Sequence, residues 1–110
     1  MNERHSILHD KVFWIRLEHE AGAWLHKNLR GGVWLDCLAP EHAGDTKDGV
    51  DIAGSVLLVE GKGSRSPYHF VVTVPQKMLH RRREDFSIEE LFVDETQQSL
   101  KIKIAHEKKS

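Results

Sequence analysis

The chain has 110 residues, 39% apolar and 30% charged, a balance that suits one soluble globular domain and excludes a disordered one. Sixteen Lys and Arg against seventeen Asp and Glu leave a net charge of −1, so the whole is no polycation. No apolar run approaches the ~20 residues of a membrane helix, and Cys37 is alone, which rules out an intrachain disulfide. A reducing compartment is therefore expected, and the polar start Met-Asn-Glu-Arg-His-Ser lacks the apolar core of a secretory leader. The expected location is cytoplasmic, with no membrane partner.

Residues 1–5 are expected to fray. On a helix over residues 7–30, Trp14, Leu17, Ala21, Trp24, Leu25 and Leu29 share one face, with Arg16, Glu20 and Lys27 opposite. Ser6 is the expected N-cap and Gly31 the expected stop. A meander competes with that helix. Phe13, Ile15 and Leu17 alternate as in a strand, and Trp14-Ile15, Trp24-Leu25 and Trp34-Leu35 echo at ten-residue intervals. Ala, Leu, Glu, His and Lys dominate residues 18–30 and favour the helix. Val33 to Leu38 reads as a short strand with Val33, Leu35 and Cys37 on one buried face. Residues 39–48, with Pro40, Gly44 and three acids, read as an exposed loop.

Gly49 to Glu60 and Tyr68 to Val74 are rich in β-branched residues and flank the Gly61–Pro67 loop, so a hairpin is expected. Gln76 to Arg83 suits one or two helical turns, with Pro75 at the first position and Met78 and Leu79 turned inward. Phe86 to Asp94 and Leu100 to Ala105 form a second pair of strands, the former expected beside strand 68–74. In the latter, Leu100, Ile102 and Ile104 alternate with Lys101 and Lys103, which marks one buried and one solvated face. Residues 106–110 should fray. The expectation is a single α+β domain over residues 1–110, with an N-terminal helix on a curved antiparallel sheet of about five strands. An all-β meander or barrel is the alternative. The order of elements is similar to that of hot-dog and cystatin-like folds, a likeness of element order alone.

Charge is unevenly placed. Residues 61–83 hold six bases and no acid, and residues 84–95 hold six acids and no base. Local potential of this kind bears on association rather than chemistry. Lys62, Arg65, Arg81, Arg82 and Arg83 are the candidate polyanion site, with Tyr68, His69 and Phe70 available to stack on bases. The competing reading is a solvated face that pairs with the acids following it, and a pI near 6.7 favours that reading over nucleic acid.

Other signatures fail on spacing. Gly61-Lys62-Gly63-Ser64 lacks both the upstream glycine and the Ser or Thr directly after the lysine of a phosphate loop. Asp45, Asp48 and Asp51 do not keep the alternation of a calcium loop. His5 and His9 have an i,i+4 spacing, but no cysteine or carboxylate stands near them at a familiar ligand spacing. No metal, cofactor or catalytic residue is assigned. A ligand pocket between helix and sheet would draw on Trp24, Trp34, Asp36, Glu60 and His69, and a carboxylate–histidine pair there could transfer protons. The preferred function is a small binding or interaction domain without catalytic activity that self-associates, as a dimer. A small-molecule-binding domain or enzyme is the first alternative and a nucleic-acid module the second.

Overall fold

The structure, a computed structural model, describes residues 3–29, 32–79 and 85–107. Its spine is helix α1, Lys11–Asn28, preceded by a 3-10 helix over Glu3–His9. The helix begins at Asp10 rather than Ser6: Asp10 has extended backbone angles, and its Oδ1 accepts the Phe13 N–H at 3.1 Å. Phe13, Trp14, Leu17, Ala21 and Leu25 are its buried residues. They recur at helical intervals and form one stripe against the sheet. Two of the tryptophans in the ten-residue echo thus lie on one helix, so the meander is excluded. Gly31, the expected stop, lies outside the described residues.

Five strands follow: β1 (Val33–Thr46), β2 (Gly49–Glu60), β3 (Arg65–Pro75), β4 (Phe86–Asp94) and β5 (Ser99–His106). They form one open sheet in the order β1-β2-β3-β5-β4, not a closed barrel. With α1 packed on it, this is an α+β fold. All pairings are antiparallel except β3 with β5, which is parallel, His69 opposite Ser99 and Thr73 opposite Lys103.

That parallel pair corrects the expected neighbour of strand 68–74. The residues explain why. β5 buries Leu100, Ile102 and Ile104 almost completely, which suits an interior strand, whereas β4 exposes Glu89 and Glu90 and carries a bulge between Ile88 and Glu90. Charges and bulges are what an edge strand tolerates. After β3 the chain makes a 3-10 turn over Gln76–Met78, and the β4–β5 hairpin then occupies the far edge of the sheet, with β5 beside β3. Pro75 caps that turn from outside, and Met78 and Leu79 are buried as expected.

β1 also departs from expectation. Residues 39–46 belong to the strand and pair with β2 as far as Thr46 opposite Gly49. Pro40 and the acids suggested a loop, yet an edge strand accepts both, because its outer side has no ladder to complete. Two bulges break the register, between Asp36 and Ala39 and between Pro40 and His42. In the first, Cys37 takes a φ of +54° and its N–H bonds the Asp36 carboxylate. The bulge turns Cys37 out of the core, so the thiol is exposed rather than buried beside Val33 and Leu35.

The core lies between α1 and the inner face of the sheet. Phe13 packs edge-on against Trp14 at 5.0 Å and tilted against Phe86 at 5.2 Å, while Trp14 reaches Phe70 at 5.8 Å. Trp14 also donates its indole N–H to the Ile7 carbonyl at 2.7 Å, which ties the first 3-10 helix to α1. Among the described residues no polar or charged side chain is buried, and no helix is long and apolar enough to cross a membrane.

Candidate functional site

The residues expected to converge on a pocket do not share one place. Strand alternation turns Asp36 and His69 to the outer face of the sheet, where Asp36 ion-pairs with Arg65 and His69 stands exposed between buried Tyr68 and Phe70. Glu60 ends β2 at the turn, where its backbone bonds Ser64 and Gly63. Trp24 is half-buried on α1 against the core, and Trp34 is 46% exposed on β1. Among the described residues, the space between helix and sheet, where a pocket would need polar groups, is filled by apolar side chains alone.

The basic block is described only in part. Lys62 and Arg65 lie at the β2–β3 turn, and β3 then runs eleven residues to Pro75 at the other end of the sheet. At ~3.3 Å per residue that is over 30 Å. Arg81, Arg82 and Arg83 lie outside the described residues. Arg65 is engaged by Asp36. Two acids of the acidic block meet Lys103 of β5: Glu90 is its cross-strand partner, and Glu89 lies 4.0 Å from its ammonium. Among the described residues, Arg65 on β3 and Glu89 and Glu90 on β4 are thus separated by β5.

A polar cluster that no sequence motif announces closes the Pro75 end. Arg4 donates to Asp45 Oδ1 at 3.1 Å, to Gln76 Oε1 at 2.7 Å and to the Gly49 carbonyl at 2.9 Å, while His5 Nε2 lies 3.0 Å from the same Asp45 oxygen. The hydrogen bonds from His5 and then Arg4 hold the Asp45 carboxyl below its usual 3.8. Four chain segments meet here, and the cluster reads as a structural staple. Among the described residues, no three His, Cys, Asp or Glu side chains are grouped to hold a metal ion.

What remains unexplained is apolar. Among the described residues five large hydrophobic side chains are exposed: Val12, Ile15, Leu29, Trp34 and Phe92. Ile15 and Trp34 meet where α1 lies beside β1, while Val12 lies on the solvent side of α1 and Leu29 at its end. Phe92 on β4, opposite Lys101, borders both the groove at the helix end and the outer face of the sheet. Val12, Ile15, His19 and Ala23 recur at helical spacing along the exposed side of α1. Ile15, His19, Ala23 and Trp34 line a cleft of about 450 Å3, and Ile15 also borders a second cleft of about 460 Å3 with Leu8, Leu38 and Pro40. The two clefts therefore form one seam along α1 and β1. Glu18 sits in it and accepts the Leu38 N–H at 3.0 Å, which satisfies a backbone donor freed by the bulge. On the β4 flank, Leu29 and Phe92 border a separate groove.

A helix pattern could have shown the second apolar stripe, since Val12, Ile15 and Ala23 do not fit the buried one. Trp34 joins them only because β1 lies alongside α1. Comparison with protein-family models, with curated proteins and with solved structures finds no match, so function rests on these residues alone.

Proposed function

We propose that this chain is a non-catalytic interaction domain that self-associates as a two-fold dimer through the α1–β1 seam. The supporting observation is the exposed apolar stripe of Val12 and Ile15, 67% and 72% exposed, continued by Trp34 across the seam. Such a surface on a small domain marks an interaction site. The stripe is large at its N-terminal end and small at its C-terminal end. A two-fold axis near the middle of α1 lays Val12 and Ile15 of one copy against Ala23 and His19 of the other, and closes the assembly at two.

The strand edges favour this over sheet extension. β1 exposes Glu41 and Asp45, and β4 exposes Glu89 and Glu90. Pairing two copies edge to edge at these positions would bring acids towards acids, which disfavours a ladder there. The exposed thiol of Cys37 suits a reducing, cytoplasmic setting, which belongs to the same proposal.

Light scattering on a size-exclusion column tests the reading. The native chain should run as a dimer at micromolar concentration, and Ile15→Glu as a folded monomer. Two isoleucines lose burial per dimer, at about 1.5–3 kcal/mol each, so the dissociation constant should rise at least a hundredfold. A native chain that stays monomeric at about a hundred micromolar overturns the proposal.

A further inference from the structure

On its other flank α1 diverges from β4. Near the helix start the two are closed, with Phe13 against Phe86 and the Arg16 guanidinium 5.2 Å above the Phe86 ring. Towards the helix end they part. Leu25 and Leu29 of α1, Val33 of β1, Leu58 of β2 and Phe92 and Val93 of β4 then wall a groove of about 580 Å3. Small-molecule sites commonly enclose ~300–1,000 Å3 with walls of this apolar kind. Leu29 and Phe92 remain 56% and 59% exposed at its rim.

The groove has a sign. Among the described residues, Asp94 and Glu95 are its only charged lining and no base borders it. The Gln97 N–H donates to Asp94 Oδ1 at 3.0 Å, which fixes that carboxylate at the mouth. The last turn of α1, where backbone carbonyls carry the negative end of the helix dipole, forms the opposite lip. His26 and Lys27, the bases of that turn, are not among the lining residues. An anionic amphiphile would set its head against two carboxylates and a helix C-terminus. A cationic one would find all three complementary.

We infer that this groove binds a small amphiphile with a cationic head, an alkylammonium, its chain laid over Leu29, Phe92 and Val93 and its head held between Asp94, Glu95 and the end of α1. This site is on the opposite flank from the dimer seam, so it stands or falls separately. Decylammonium and decanoate, of equal chain length and used below their micelle thresholds, are the probes. Amide shifts in a two-dimensional NMR titration give both affinity and place, on the native chain and on Ile15→Glu alike. The expected result is shifts at Leu29, Phe92 and Val93, with decylammonium bound at least tenfold tighter than decanoate.

The double variant Asp94→Asn, Glu95→Gln keeps the turn acceptor at residue 94 and should bring that ratio close to one. Phe92→Ser, at an exposed position, should weaken both probes. Equal binding of the two probes, tighter decanoate, shifts centred elsewhere, or no shift with either probe each overturn the assignment.

Discussion

Replacing Gly54 by Ala sets two well-measured effects against each other, and the structure decides the sign. Glycine inside a strand normally weakens it, and Gly→Ala where the backbone permits it stabilises a protein by about 0.4–1 kcal/mol through the unfolded state. The φ of Gly54 lies outside the left-handed region, so the backbone alone raises no objection. Packing does. Gly54 is opposite Pro40, between the two bulges of β1, and an added Cβ would run into the Ala39 carbonyl oxygen. It would also lie 2.9 Å from the Ala39 carbonyl carbon and 2.8 Å from Phe70 Cε2.

A backbone carbonyl pinned by flanking bulges cannot swing aside as a side-chain tip can, and Phe70 is only 1% exposed. Overpacking of this kind costs about 1–3 kcal/mol, and the backbone contact places it at the upper end. The net expectation is a loss of about 2 kcal/mol, a fall in Tm of roughly 8–10 °C for a domain of this size. Gly44 is the control. It is exposed on β1, and an added methyl there would meet nothing within 4 Å, so Gly44→Ala should raise stability by about 0.5 kcal/mol. Urea titrations followed by circular dichroism measure both. If Gly54→Ala stabilises as much as Gly44→Ala, β1 does not cross β2 in this register and the bulges are misplaced.

Trp14→Phe removes the hydrogen bond to Ile7 and part of the ring contact with Phe70, at a cost of about 2 kcal/mol. Hydrogen exchange should quicken over residues 3–10 more than in β3, and a uniform rise would deny the local tie. For Asp45 the folded carboxyl titrates below its unfolded value near 3.8, so its stabilisation is present above that pH and is lost as pH falls through the depressed folded value. Asp45→Asn should therefore melt below the native chain at pH 5–6, with the gap closing in stronger acid; a gap unchanged at pH 2 contradicts the staple. Cys37 should react with a thiol reagent in the folded protein as fast as in urea, and strong protection would return it to the core.

How much of the fold could be read from the chain depends on whether the signal is local. The alternation of Leu100, Ile102 and Ile104 with two lysines states a half-buried strand outright, and the spacing of Trp14, Leu17, Ala21 and Leu25 states a helix face. Strand order is not local. β4 and β5 each read correctly as strands, but which of them lies beside β3 depends on comparing the edge tolerance of Glu89 and Glu90 with the full burial of Ile102. Cys37 shows the finer limit. Period two predicts it inward, and only a bulge with a positive φ, which no residue type there demands, turns it outward.

The candidate surfaces were hidden for a related reason. Polar and charged residues attract notice in a sequence because a site usually needs them, yet here Asp36 is occupied with Arg65, Glu89 with Lys103, and Asp45 with Arg4 and His5. The residues left over are apolar, and an apolar residue in a sequence reads as core by default. Ile15 sits two residues before Leu17 and one after Trp14, so its period marks it as off the buried stripe, but not whether solvent or a partner covers it. Only the placement of α1 between an acidic β1 edge and an acidic β4 edge gives that question content. Both edges carry acids while the most exposed apolar side chains, Val12 and Ile15, lie on α1, so the surface proposed for a partner is one that the helix, not the sheet, presents.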